Sequence, residues 1–221
     1  MTFLHADDWK PAMIQVGYPR KIIGFHLRLD PEITPFKSGN SGYCGDWCTS
    51  REVCLSVDPL VWPMIGEDEE LYGRVNMLGL ISRGHDMNEV LFAHTEPKII
   101  AAFDAPAAYV TACGDEFGIQ EIDTDKIEGF VFQGYDVMGY FGHFSMLYSF
   151  DMGMDQAHAL LEESGATLNS TGLITEETAA IRMASMGSLP DRQYGNHAPF
   201  VPVGVWTRKS KGTDFLFKCE P

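Results

Sequence analysis

The sequence predicts an α+β fold, with residues 1–221 forming a single domain of helices packed on a mostly antiparallel sheet. Segments rich in β-branched and aromatic residues recur along the chain, and at least two later segments carry helix start and stop signals. No linker-like stretch, low-complexity tract or repeat with a period of roughly 20 to 50 residues divides the chain. With 45% hydrophobic residues and aromatics spread from Phe3 to Phe217, the chain can bury a sizeable core, which excludes a disordered chain.

Lys21 to Leu29 alternates as a half-buried strand does, and Asp30-Pro31 ends it because proline restricts the residue before it. The turn formers Pro35, Gly39, Asn40, Gly42 and Gly45 then predict a long loop, followed by a short strand over Glu52 to Val57. From Glu67 the spacing of Leu71, Val75 and Leu78, extended at its end by Ile81, predicts a helix whose first turn, Glu67 to Glu70, sets carboxylates against the helix dipole. Asp86 to Thr95 is read as a second short helix that ends before Pro97.

Lys98 to Phe103 and Ile127 to Val137 read as strands, the second rich in the residue types that fit a pleated surface. Asp155 to Ser164 predicts a helix stopped by Gly165. Thr175 to Met186 predicts another, with Thr175 as N-cap and Gly187 as the stop. In the tail, Val201, Val203 and Val205 alternate with Pro202, Gly204 and Trp206, and Asp214 to Cys219 returns after a Lys-Ser-Lys-Gly turn. Proline cannot donate to a ladder, so the first of these is expected to be an edge strand.

Charge is the most uneven property of the chain. Its formal net charge is −15, and residues 84–181 alone hold 17 Asp and Glu against Lys98 and Lys126, while the flanks balance. Like charges at that density oppose compaction, which favours a cationic partner over the stretch. The densest run is Asp115, Glu116, Glu121, Asp123, Asp125 and Glu128, which face only Lys126. The other reading of this run is a solvated loop that aids solubility. The balance argues against a nucleic-acid surface, because phosphate contacts need clustered Lys and Arg and the basic cluster found is the small one at Arg208, Lys209 and Lys211.

The start of the chain lacks the pattern of a secretory signal, and no apolar run approaches the roughly 18 residues of a membrane span. Cys44, Cys48, Cys54, Cys113 and Cys219 are odd in number and irregularly spaced, which reads as reduced thiols and a cytoplasmic location. The triplet Asn169-Ser170-Thr171 fits a glycan acceptor and is read as a chance match.

Motifs for chemistry are weak. Cys44, Cys48 and Cys54 have a C-x3-C-x5-C spacing without the second close pair usual in structural zinc sites, so they are read as buried thiols and no metal or other cofactor is expected. Cys113 lies beside Asp115 and Glu116, whose charge disfavours a thiolate nucleophile. Gly142-His143-Phe144-Ser145-Met146 lacks the final glycine of a nucleophile elbow. Glu162 and Glu163 diverge by about 100° on a helix and cannot act at one centre. His197 has no placed partner. Phosphate-loop and dinucleotide patterns are absent.

The second half contains Gly134-Tyr135-Asp136-Val137, Phe144-Ser145-Met146-Leu147, Leu168-Asn169 with Gly172-Leu173, and His197-Ala198-Pro199-Phe200 leading to Val203-Gly204-Val205-Trp206. Over roughly residues 127–208 it resembles bacterial proteins without an assigned biochemical role, some encoded as immunity partners of polymorphic toxins. The resemblance implies a shared α+β core and transfers no functional residue. It departs at Met146 to Phe150, where a Leu-Ser-Asn-Cys-Gly segment is expected and neither its Asn nor its Cys occurs.

Together these readings lead to the expectation of a non-enzymatic, acidic cytoplasmic protein that neutralises a cationic toxin or effector. The alternative is a hydrolase or metal-dependent enzyme assembled from distant residues, such as His197 or His143 with Asp136, or the early cysteines. A third reading is a structural subunit with a large apolar patch.

Overall fold

Among the described residues, the named elements follow in the order of strands β1 (Arg20–Leu29), β2 (Lys98–Pro106) and β3 (Val131–Gly139), helices α1 (Met154–Ser164) and α2 (Glu177–Gly187), and strand β4 (Phe200–Ser210). They belong to a computed structural model that describes residues 17–29, 80–81, 98–111, 128–139, 154–169, 173–189 and 200–210. The expected strand at Glu52 to Val57, the helix at Asp86 to Thr95, the returning strand at Asp214 to Cys219 and residues 67–79 of the helix expected from Glu67 lie outside those residues, whereas Ile81, read as the end of that helix, is extended and bridges Phe25.

The four strands form one antiparallel sheet in the order β1-β2-β4-β3, with helices alongside, so the architecture is α+β. Alternation divides the inward residues between two faces. Ala101, Phe103 and Ala105 of β2 join Val201, Val203 and Val205 of β4, together with Ile23, Leu80, Tyr109, Met138 and Leu173, in one buried cluster. Val137 and Phe200 belong to a second cluster, where they pack with Leu160 of α1 and Ala179, Ala180, Met183 and Ala184 of α2. Small residues dominate that face of α2, which lets its backbone lie close over β3 and β4.

Helix α1 ends as the sequence predicts. Gly165 takes φ +67°, its N–H donates to the Glu162 carbonyl at 3.0 Å, and the Ala166 N–H donates to the Leu161 carbonyl at 2.9 Å. These are the two bonds of a Schellman stop, and Leu161 and Ala166 both pack against the second cluster. Helix α2 departs from expectation at both ends. Its N-cap is Glu176, with no side-chain cap, because the Thr175 hydroxyl is 3.1 Å from that of Thr167. Gly187 is its last buried helical residue and Ser188 is the C-cap. The Ser188 hydroxyl donates to the Ala184 carbonyl at 2.7 Å and accepts the Phe200 N–H at 2.8 Å, so it joins the helix end to β4.

Strand β4 is interior, which corrects the expectation of an edge strand. Pro202 is opposite Val137 of β3, but the ladder with β2 stops at Gly204. A strand residue's N and C=O point to the same side, and the Pro202 carbonyl accepts Arg20 Nη2 at 3.1 Å on the side where the β2–β4 ladder has ended. The missing N–H therefore falls where no ladder partner stands, a compromise compatible with the rule that confines proline to unpaired edges. Strand β3 begins at Val131, later than the expected Ile127, because residues 128–129 turn.

The outer edge of β3 is closed by its own surroundings. Tyr135 and Ile174 exchange two backbone bonds of 2.8 Å, Asn169 Nδ2 donates to the Gln133 carbonyl, and Asp136 Oδ1 accepts the Val137 N–H at 2.7 Å. On the opposite edge, Phe25 and Ile81 exchange two backbone bonds of 2.9 and 3.0 Å. Unpaired strand edges invite association, and these short bridges satisfy both edges locally.

Candidate functional site

A buried acid in an otherwise apolar strand organises the polar centre of the sheet. Asp104 follows Ile99, Ile100, Ala101, Ala102 and Phe103 in β2 and is 6% exposed. Removing a carboxylate from water is costly unless several donors meet it. Oδ1 accepts Arg20 Nε at 2.7 Å and the Gly204 N–H at 3.0 Å, while Oδ2 accepts Trp206 Nε1 at 2.9 Å. Position 204 must be glycine for reasons of space, since an added Cβ would overlap the Asp104 carboxylate.

Arg20, at the start of β1, spreads its guanidinium over three elements. Besides Asp104 Oδ1, it donates through Nη1 to Glu177 Oε1 of α2 at 3.2 Å and through Nη2 to the carbonyls of Asp104 and Pro202 at 3.1 Å each. The planar fork suits such divergent acceptors, which an ammonium would not serve equally. Glu177 Oε2 also accepts the Gly17 N–H at 3.2 Å. One charged network thus ties β1, β2, β4 and the first turn of α2, where a carboxylate also meets the favourable end of the helix dipole.

Aromatic rings cover the network. Arg20 Cζ sits 5.4 Å from the Tyr135 ring centroid, and Phe132 stands 4.9 Å from both Tyr135 and Trp206 with tilted or edge-on geometry. These separations suit cation–π and edge-to-face attraction. Burial, then the nearby Glu177 carboxylate, raises the Tyr135 pKa above that of an ordinary phenol, with Arg20 acting in the opposite sense. Phe132 is 37% exposed, so the cluster has one ring at the surface. Chemically the arrangement is a clamp, because both Asp104 carboxylate oxygens and all three Arg20 guanidinium nitrogens are engaged, with each other, with Glu177 and Trp206, or with backbone.

The residues singled out in sequence meet this centre only in part. Glu128 is exposed in the turn before β3, whereas Asp115, Glu116, Glu121, Asp123 and Asp125 lie outside the described residues, as do His143, His197, Cys44, Cys48, Cys54 and Cys113. Asp136, a candidate partner for a catalytic histidine, is fully buried, and its Oδ1 accepts the Val137 N–H. Glu162 and Glu163 are exposed on α1. Asn169 is engaged through both ends of its amide, at the Gln133 carbonyl and the Leu173 N–H, which accords with reading the glycan triplet as chance.

Of the 17 acidic residues in 84–181, Asp104 and Asp136 are interior and Glu177 is paired with Arg20, so the surface excess is smaller than the sequence count. Exposed members among the described residues are Glu128, Glu162, Glu163 and Glu176. Sequence reading missed the Arg20–Asp104–Trp206 network. The available signal was a single acid inside the run Lys98 to Pro106, which demands partners if the strand is internal. Among the described residues no group of three or more His, Cys, Asp or Glu is placed to hold a metal, and no helix is long and apolar enough to cross a membrane. No family model, curated protein or solved structure matches the chain.

Proposed function

We propose that this protein is a non-enzymatic, acidic binding protein of the cytoplasm, an immunity protein that neutralises a cationic toxin or effector. The observation that carries the reading is the concentration of 17 acidic against two basic residues in 84–181. Glu128, Glu162, Glu163 and Glu176 support it because they present carboxylates from the turn before β3, from α1 and from the entry to α2. The buried charges support it in another way: Arg20 and Asp104 satisfy each other within the fold. Complementary charge accelerates encounter to roughly 10⁸ to 10⁹ per molar per second at low salt, and an inhibitor needs no reaction centre of its own. Nucleic acid and membrane surfaces are not expected partners, since both are anionic at physiological pH.

The test takes the product of the neighbouring gene as the candidate partner and measures association at low and high salt. Reversing Asp123 and Asp125 to lysine is expected to slow association about tenfold at low salt while the thermal midpoint stays unchanged. An on-rate indifferent to those substitutions and to salt removes this patch as the docking surface.

A further inference from the structure

Two stretches of the chain repeat one another. Asn-x-x-Gly-Leu-Ile followed by Ser or Thr occurs at Asn76–Ser82 and again at Asn169–Thr175, glycine precedes an aromatic at Gly24-Phe25 and Gly134-Tyr135, and Pro97 and Pro199 stand directly before β2 and β4. The described backbone repeats as well. The β1–β2 register shifts between Ile22 and Gly24, and the β3–β4 register shifts between Phe132 and Gly134. Both glycines hold a positive φ, +153° and +142°. A Cβ on Gly24 would meet Leu80 Cβ at 2.5 Å and the Ile81 carbonyl at 3.2 Å, and one on Gly134 would meet Leu173 Cβ at 2.8 Å and the Ile174 carbonyl at 2.9 Å. The next residue, Phe25 or Tyr135, makes the reciprocal backbone pair with that isoleucine.

The registers locate the relation between the copies. Matching the two bulges makes Gly24 equivalent to Gly134; their partners are Phe103 and Val205, which are therefore equivalent too. Phe103 and Val205 are themselves paired across β2 and β4. In antiparallel strands, a residue paired with its own equivalent marks a two-fold axis. The same axis relates Asp104 to Trp206, which bond to each other, and relates the Arg20–Tyr135 contact to the Phe130–Phe25 contact at 6.3 Å. It also generates the strand order β1-β2-β4-β3.

We infer that the chain is a fused pair of one repeated unit, the first bounded by β1 and β2 and the second by β3 and β4, and that the β2–β4 seam is a two-fold interface able to accept the corresponding unit of a second copy of this chain. Exchange between chains keeps every seam contact, since each unit meets the partner unit it already meets within one chain. The inference is independent of the proposed function.

The test uses two full-length variants with complementary seams, Phe103→Ala and Val205→Phe, one of them isotope-labelled. Refolded together, they are expected to give a heterodimer, in at least about tenfold excess over either homodimer by native mass spectrometry. One of its two seams sets the introduced alanine against the introduced phenylalanine, and the other is native. Separate monomers, or dimers in statistical proportion, overturn the inference. Within one chain, the exchange Phe103→Val with Val205→Phe exchanges equivalent residues across the axis. It is expected to melt within about 3 °C of the parent while each single variant falls by more than about 5 °C. A double variant as unstable as the sum of the singles means the axis is misplaced.

Discussion

The contact between Arg20 and Tyr135 and the contact between Phe130 and Phe25 occupy matching places in two ladders, yet one is ionic and aromatic and the other wholly aromatic. The backbones around them agree in bulge, in glycine and in the isoleucine bridge at the sheet edge. The difference shows that main-chain geometry here depends on a few positions without side chains, while the packed residues around them are free to change chemistry. The polar version fixes direction, because Arg20 reaches four acceptors on three residues. The apolar version contributes packing that any ring of similar size supplies.

The matching backbones break most severely at the glycines. Gly24→Ala and Gly134→Ala each add a Cβ that collides with Leu80 or Leu173 and force alanine to a positive φ. Backbone strain of about 1–3 kcal/mol and overpacking of about 1–3 kcal/mol together predict a loss of about 3 kcal/mol or more from each, read as a midpoint lowered by roughly 6 to 12 °C. A large loss from one and none from the other would break the equivalence of the two ladders.

The chemical contrast is sharpened by a double-mutant cycle at each end. Asp104→Ala leaves the Arg20 fork, the Gly204 N–H and the Trp206 indole without their acceptor, at a cost of about 2–3 kcal/mol, below the full range for buried pairs because Arg20 retains some exposure. Arg20→Met in that background is expected to cost at least about 1 kcal/mol less than in the parent, and the coupling should weaken in high salt. Phe25→Leu with Phe130→Leu should show weaker coupling that salt leaves unchanged. Denaturant titrations at two ionic strengths decide between these outcomes.

Much of the fold was legible because periodicity and punctuation agreed. Lys21 to Leu29 alternates as a strand does, Gly165 stops α1, and Lys98 to Phe103 reads as a strand, all as found. Strand order was not legible, because Pro202 argues for an edge when only its own strand is considered. Its tolerance depends on where the ladder with β2 ends and on a bond from Arg20 to its carbonyl, both set by residues distant in sequence. The polar network was hidden for the same reason: Arg20, Asp104, Glu177 and Trp206 lie far apart in the chain, and none belongs to a motif that carries chemistry. The duplication escaped because its copies are about a hundred residues apart and share few identities, the clearest being Asn-x-x-Gly-Leu-Ile. Of the acidic run read as a docking surface, Glu128 is the one member whose surroundings are described.

That shared hexapeptide supplies a smaller perturbation. Asn169→Ala leaves the Gln133 carbonyl and the Leu173 N–H without a side-chain partner, an expected loss of about 1–2 kcal/mol. The recurrence predicts that Asn76→Ala destabilises by a similar amount in the same denaturation experiment. A neutral Asn76→Ala beside a costly Asn169→Ala would confine the asparagine's role to the second ladder.

The gentlest probe is alkaline pH at the polar contact. Burial and Glu177 hold the Tyr135 phenol above its ordinary pKa, so the native state binds this proton more tightly than the unfolded chain does. The stability so gained is fully present below the unfolded value of about 10 and is lost as pH rises through the native value. Unfolding free energy of the parent should therefore fall more steeply above pH 10 than that of Tyr135→Phe, which has no proton to lose at this position. The matching site in the other ladder is already Phe25, so Phe25→Tyr offers the reverse experiment: a phenol introduced beside Phe130, with no Arg20 opposite it, should steepen the alkaline slope. Equal slopes in the parent and Tyr135→Phe would mean that the phenol is solvated well enough to ionise as it does in the unfolded chain, and that the two contacts differ less in polarity than the arginine implies.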